Sequence, residues 1–107
     1  NLYHFISKYS RIIIMGAGVY ANTIAKQLYY HKIDFDSFVI SNNQPLNKRY
    51  LGKDVWKLRQ LPANKENIGV IIGINPTKWL EIMLALEEAK VKNFICPFLF
   101  DFPINEE

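Results

Sequence analysis

An α/β domain carrying a mainly parallel sheet is the fold class this sequence predicts, and three observations predict it. Short, unbroken apolar runs recur, as in Ile12–Met15 and Val70–Ile72, the pattern of strands buried on both faces. Segments with helical periodicity lie between these runs, so strands and helices alternate as they do in parallel sheets. The first run passes directly into Gly16-Ala17-Gly18 and then into a helix, which is a tight strand-to-helix turn.

Taken in order, residues 1–10 form an aromatic entry segment, read as a short helix or the tail of a preceding domain. Arg11–Met15 is the first strand. In the helix that follows, Ala21, Ile24, Ala25, Leu28 and Tyr29 recur at i, i+3, i+4, i+7 and i+8, with Asn22, Thr23, Lys26 and Gln27 on the opposite side. Residues 36–40 are the second strand, ended by the turn formers Ser41-Asn42-Asn43-Gln44-Pro45. Residues 46–67 are the least regular. Within them Gly52–Trp56 reads as a turn into a short edge strand, and Lys57–Leu61 as one helical turn before Pro62.

The third strand covers 69–73. Asn75 and Pro76 are a favoured N-cap and first helical residue, opening a helix to about Lys90 with Trp79, Ile82, Met83 and Leu86 at helical spacing. The last strand, 93–96, stops at Pro97. Right-handed crossovers place the first strand between the second and third. The expected architecture is therefore three layers around a sheet ordered edge-2-1-3-4, occupying residues 11–98, with 99–107 as a tail. Both chain ends read as the boundaries of an excised domain. Ile12, Ile14, Ile24, Leu28, Val39, Val70, Ile72, Met83, Leu86 and Ile95 are the expected core.

Composition narrows the function classes. The 107 residues, half of them hydrophobic, suffice for one domain with a sizeable core. Seven Phe, six Tyr and two Trp argue against disorder. The net charge is only +3 and the basic residues are scattered, so no nucleic-acid partner is expected. A single cysteine, Cys96, rules out an internal disulfide and a Cys-rich zinc site, and points to the cytoplasm. No apolar run is long enough for a membrane span.

The chemistry sits in Gly16-Ala17-Gly18-Val19-Tyr20-Ala21, which matches G-x-G-x-x-A. In that motif the first glycine permits the tight turn and the second lets the backbone approach a pyrophosphate. The small third residue lets helix pack on strand. The unpaired N–H groups and dipole at the helix start then favour an anion. Such a turn predicts a Rossmann-like domain, although the same glycines also serve in turns that bind nothing. The carboxylate that would bind ribose hydroxyls at the end of the second strand is missing: that strand ends Val39-Ile40-Ser41-Asn42-Asn43. Ser41, Asn42 and Asn43 are candidate uncharged contacts, and Lys48 and Arg49 either meet a 2′-phosphate or belong to a solvated loop. The third strand ends Gly73-Ile74-Asn75 beside the glycine turn, making these three candidate contacts, with Asn75 equally readable as a helix cap alone. His4, His31 and Cys96 form no couple in sequence, and no metal-ligand spacing appears.

The segments Ile13-Ile-Met-Gly-Ala-Gly-Val-Tyr-Ala21, Phe38-Val-Ile-Ser-Asn-Asn43, Leu51-Gly-Lys-Asp-Val-Trp-Lys-Leu58 and Val70-Ile-Ile-Gly-Ile-Asn-Pro76 resemble a group of small bacterial Rossmann-like domains. These occur at the ends of surface-polysaccharide enzymes, including glycosyltransferases and choline- or glycerol-phosphate transferases. The chain is similar too to the N-terminal domain of sugar acetyltransferases that bind nucleotide-linked sugars, and to nucleotide-sugar epimerases. The resemblance runs from Arg11 to Phe98 and implies a nucleotide or nucleotide-sugar pocket.

Three functions are carried forward. One is a nucleotide or nucleotide-sugar binding module of a larger bacterial transferase in surface-polysaccharide biosynthesis. Another is an NAD(P)-binding domain of a sugar-nucleotide oxidoreductase or epimerase. The third is a non-catalytic interaction domain with a vestigial pocket. Expected partners are a small-molecule nucleotide ligand and the rest of a parent chain, with homo-oligomerisation a further option. No catalytic constellation is present, so no turnover by this chain alone is expected.

Overall fold

The computed structural model describes residues 2–42, 49–62 and 65–97. It is an α/β arrangement of three α-helices and six strands in one mixed, mostly parallel sheet. In chain order the elements are α1 (Leu2–Ser7), β1 (Arg11–Met15), α2 (Val19–Tyr30), β2 (Ser37–Ile40), β3 (Arg49–Tyr50), β4 (Lys53–Lys57), β5 (Ile68–Ile72), α3 (Trp79–Glu88) and β6 (Phe94–Ile95). Short 3-10 turns at Leu58–Gln60 and Pro76–Lys78 precede β5 and α3.

The strand order is β3-β4-β2-β1-β5-β6, which differs from the expected edge-2-1-3-4. The difference is β3, which lies outside β4 and pairs with it antiparallel, Arg49 opposite Asp54 and Tyr50 opposite Lys53. Leu51 and Gly52 form the two-residue link, with φ of 49° and 79°. Positive φ at both central residues is the signature of a type I′ hairpin, whose twist suits paired strands. The usual sequence signal for it is Asn-Gly or Asp-Gly, and Leu-Gly hides it.

The core has two faces because side chains alternate along each strand. Ile12 and Ile14 of β1 join Ala21, Ile24, Ala25 and Leu28 of α2, while Ile13 and Met15 join Ile82 and Leu86 of α3. Helices thus cover both sides of a sheet whose central strands β1, β2 and β5 are buried almost throughout. The entry segment belongs to this core. Leu2 is 0% exposed, and Phe5 of α1 and Tyr9 just after it lie over β5 at Gly69, where a Cβ would stand 2.6 Å from the Tyr9 ring. Met83 and Ile95 are only partly buried, against expectation, because Met83 lies beside the buried Ile82–Leu86 stripe within α3 and β6 is a two-residue edge strand.

Both long helices end in the same way. Lys32 and Lys90 adopt left-handed conformations, and the next residues, Ile33 and Val91, donate their N–H groups back to Leu28 and Leu86. Each is a Schellman motif with lysine where glycine is usual. At the N-terminal end of the sheet, Arg11 bridges Asp36 at 2.9 Å and ties β1 to the start of β2. Burial raises the Asp36 pKa, but hydrogen bonds from Arg11 and the Ser37 hydroxyl outweigh it and hold the carboxyl below its ordinary 3.8.

Two tests follow from this packing. Ile72→Ala, at the centre of the sheet, should lower the unfolding free energy by roughly 2–5 kcal/mol in chemical denaturation. A loss well under 1 kcal/mol would remove β5 from the core. Because the folded-state pKa of Asp36 is depressed, its contribution to stability is present above the ordinary value of 3.8 and is lost as pH falls through the lower folded value. Thermal melts of Asp36→Asn should accordingly show a shallower loss of Tm below about pH 4 than the parent chain does.

Candidate functional site

The C-terminal ends of β1 and β5 carry the glycine-rich turn and the Gly73–Asn75 segment side by side. Gly16 donates its N–H to the Val39 carbonyl at 2.7 Å, and Gly73 donates to Met15 at 2.8 Å, so the two loops continue the sheet's hydrogen bonding. Between them, the first turn of α2 and the approach to α3 lies a cleft of about 470 Å³. Gly16, Ala17, Gly18, Val19 and Tyr20 line it together with Gly73, Ile74 and Asn75, so eight of the residues singled out from sequence share one site. Ile40 and Val55 wall one side. Lys78 stands on the α3 side and was not anticipated, since nothing in its sequence neighbourhood marks it.

The three glycines here answer to different demands. Gly16 has φ of 117°, and a Cβ on it would stand 2.5 Å from the Gly73 carbonyl oxygen. A Cβ on Gly73 would stand 2.9 Å from the Cα of Ala21, so that glycine lets α2 settle on β5. Gly18 has φ of −114° and ψ of −151°, an extended conformation open to any residue, and nothing lies within 4 Å of where its Cβ would be. It is also the N-cap of α2, and no described side chain caps that helix. The N–H groups of the first turn, which no helix start can pair internally, are thus not met by an N-cap side chain, and the start of α2 lines the cleft.

Neighbouring side chains brace the site. The Trp79 indole N–H donates to the Ile74 carbonyl at 2.8 Å. Asn75 Oδ1 accepts from the Thr77 N–H and from the Thr77 hydroxyl, both at 3.0 Å, so this oxygen works as a helix cap. On the other side, the Tyr50 hydroxyl lies 3.3 Å from Asn22 Nδ2 and 3.5 Å from the Gly18 carbonyl, drawing the β3–β4 hairpin against the first turn of α2. Tyr50 reaches this position through an edge strand that sequence reasoning did not find.

Ser41 and Asn42 do not join this cleft. They line a second one of about 550 Å³ on the α3 face, with Arg59 and Lys65 from the 59–65 stretch and Glu81 and Glu88 from α3. Asn42 is a clamp for the turn that follows β4: its Oδ1 accepts the Arg59 N–H at 2.8 Å, and its carbonyl accepts from Lys57 Nζ at 3.2 Å. Asn43 and Lys48 lie outside the described residues. Arg49 is engaged within its own hairpin, bridging Asp54 at 2.8 Å and donating to the Gly52 carbonyl. His31, half-buried, packs edge-on between Tyr3 and Tyr30. Burial pushes the Cys96 thiol up, away from the thiolate that nucleophilic chemistry needs.

Among the described residues no group of three or more His, Cys, Asp or Glu side chains is placed to hold a metal ion, and no helix is long and apolar enough to cross a membrane. No protein-family model, curated protein or solved structure matches the chain.

The differing roles of the glycines are separable by mutation. Gly16→Ala should cost on the order of 1–3 kcal/mol from the backbone angle alone. Gly18→Ser should leave the unfolding midpoint unchanged or slightly raised, because serine is a favoured N-cap and its Cβ enters open space. Urea denaturation of the two variants checks this, and equal losses would mean that both glycines serve the turn.

Proposed function

We propose that this chain is a Rossmann-like nucleotide-binding module, which holds the phosphate of a nucleotide or nucleotide-sugar at the start of α2. Gly18 carries the reading. Its backbone does not require glycine, its surroundings would accept a side chain, and it sits at the mouth of the cleft beside the helix N-terminus. A phosphate approaching the backbone closely is a physical reason for a missing Cβ at such a position. The uncapped first turn of α2 and the presence of Lys78 on the facing wall add electrostatic support.

A dinucleotide reading has less behind it. β2 runs into Ser41 and Asn42 with no carboxylate, and both residues face the other cleft. The motif resemblance alone carries the placement of the module in a larger bacterial transferase of surface-polysaccharide synthesis, and the single cysteine supports a cytoplasmic setting.

Isothermal titration of the 107-residue chain with UMP, UDP, UDP-glucose, AMP and NADP tests the reading. At least one mononucleotide or nucleotide-sugar should bind, and Gly18→Val should abolish that binding while the circular-dichroism melt shows a folded protein. Undiminished binding by Gly18→Val would return the turn to a purely structural role. Absence of binding by every nucleotide would leave an interaction domain as the better description.

A further inference from the structure

The two long helices carry outward faces of opposite character. α2 contains no acidic residue. Away from its buried Ile24 and Leu28 it turns Lys26, Tyr29 and Tyr30 outward, with Tyr29 84% and Tyr30 67% exposed. Lys32 follows just past the helix, and neither it nor Lys26 forms an ion pair among the described residues. Ile33 and Leu51 flank Tyr29 in a depression of about 210 Å³, which carries the patch onto the β3–β4 link. α3 is the reverse. It contains three glutamates and no basic residue. Leu80 and Leu84, one turn apart, are 69% and 57% exposed. Glu81, Glu87 and Glu88 are exposed around them, and none forms an ion pair among the described residues. Lys78 precedes the helix and Lys90 follows it, so the acidic stripe between them is unbroken.

We propose that copies of this chain associate head to tail, the Tyr29–Tyr30 face of one α2 docking on the Leu80–Leu84 face of the next copy's α3. Each face supplies what the other lacks. Aromatic rings cover leucines, and Lys26 and Lys32 meet glutamates. One molecule cannot satisfy both faces by itself, because α2 packs on the Ile12–Ile14 side of the sheet and α3 on the Ile13–Met15 side. A contact between unlike faces also leaves one of each kind free at the ends, so the assembly is open and grows with concentration. One helix face against another is a small interface, which makes the association weak and reversible. Nothing in this depends on the nucleotide reading.

Sedimentation velocity of the 107-residue chain over a concentration series tests the proposal. The weight-average mass should climb past that of a dimer without a plateau, and high salt should lower it. Tyr29→Gln/Tyr30→Gln and Leu80→Gln/Leu84→Gln each remove one face at exposed helix positions that glutamine suits, so both proteins should keep the parent's circular-dichroism melt. Each alone should stay monomeric. Mixed in equal amounts, they should form a dimer and nothing larger, because one intact α2 face then meets one intact α3 face. A parent chain that is monomeric at every concentration overturns the proposal. So does a plateau at the dimer, or association that survives in either double variant, since both mean that like faces pair. A mixture that stays monomeric overturns the pairing of α2 with α3.

Discussion

The contact between Gly16 and Gly73 is the constraint on which the upper end of this sheet depends. β1 and β5 pair in register from Arg11–Ile68 to Met15–Ile72, and the next residue of each strand must leave the sheet in the space the other would occupy. Only a residue without a Cβ fits at Gly16, where the Gly73 carbonyl would otherwise be struck, and only a left-handed angle turns the chain into α2 there. Gly73 in turn lets Ala21 come close enough for α2 to lie flat on the strands. One pair of small residues thereby sets where the first helix begins and where its uncapped N–H groups point.

That arrangement is held from beneath by a core that is apolar on both faces of the sheet. Alternate side chains of β1 serve opposite layers, so neither layer can shift without moving the other. α1 extends the same logic to β5, with Gly69 providing the flat patch on which Phe5 and Tyr9 lie. Among the described residues, the cleft is consequently bounded by strand ends, helix starts and the short turns that join them.

The polar residues near the sheet's upper end divide their work. Asn42 and Asn75 spend their side-chain oxygens on turns of the backbone, one holding the segment after β4 and the other starting the approach to α3. Toward the opposite end of β4, Arg49 and Asp54 close a hairpin. Among the described residues, what lines the glycine cleft is mainly backbone and hydrocarbon, with Tyr20, Asn75 and Lys78 as its larger polar side chains.

Local pattern determined most of the fold. The apolar runs of β1 and β5, the helical spacing of Ala21, Ile24 and Leu28, the Asn75-Pro76 cap and the Gly16–Gly18 turn were all legible because each signal lies within a few adjacent residues, where backbone sterics and side-chain period act directly. The edge strand β4 was legible after Gly52, but its antiparallel partner β3 was not, because Leu51 takes a left-handed angle that its residue type disfavours. Nor could the chain order show that Ser41 and Asn42 turn to the α3 face while Lys78 turns to the glycines. Which cleft a residue lines depends on the side of the sheet from which neighbouring elements arrive, and that is settled by long-range packing. The distinction between Gly16 and Gly18 has the same origin: the two look alike in sequence, and only the carbonyl of Gly73, brought across from β5, makes one of them obligatory to the fold and leaves the other facing open space.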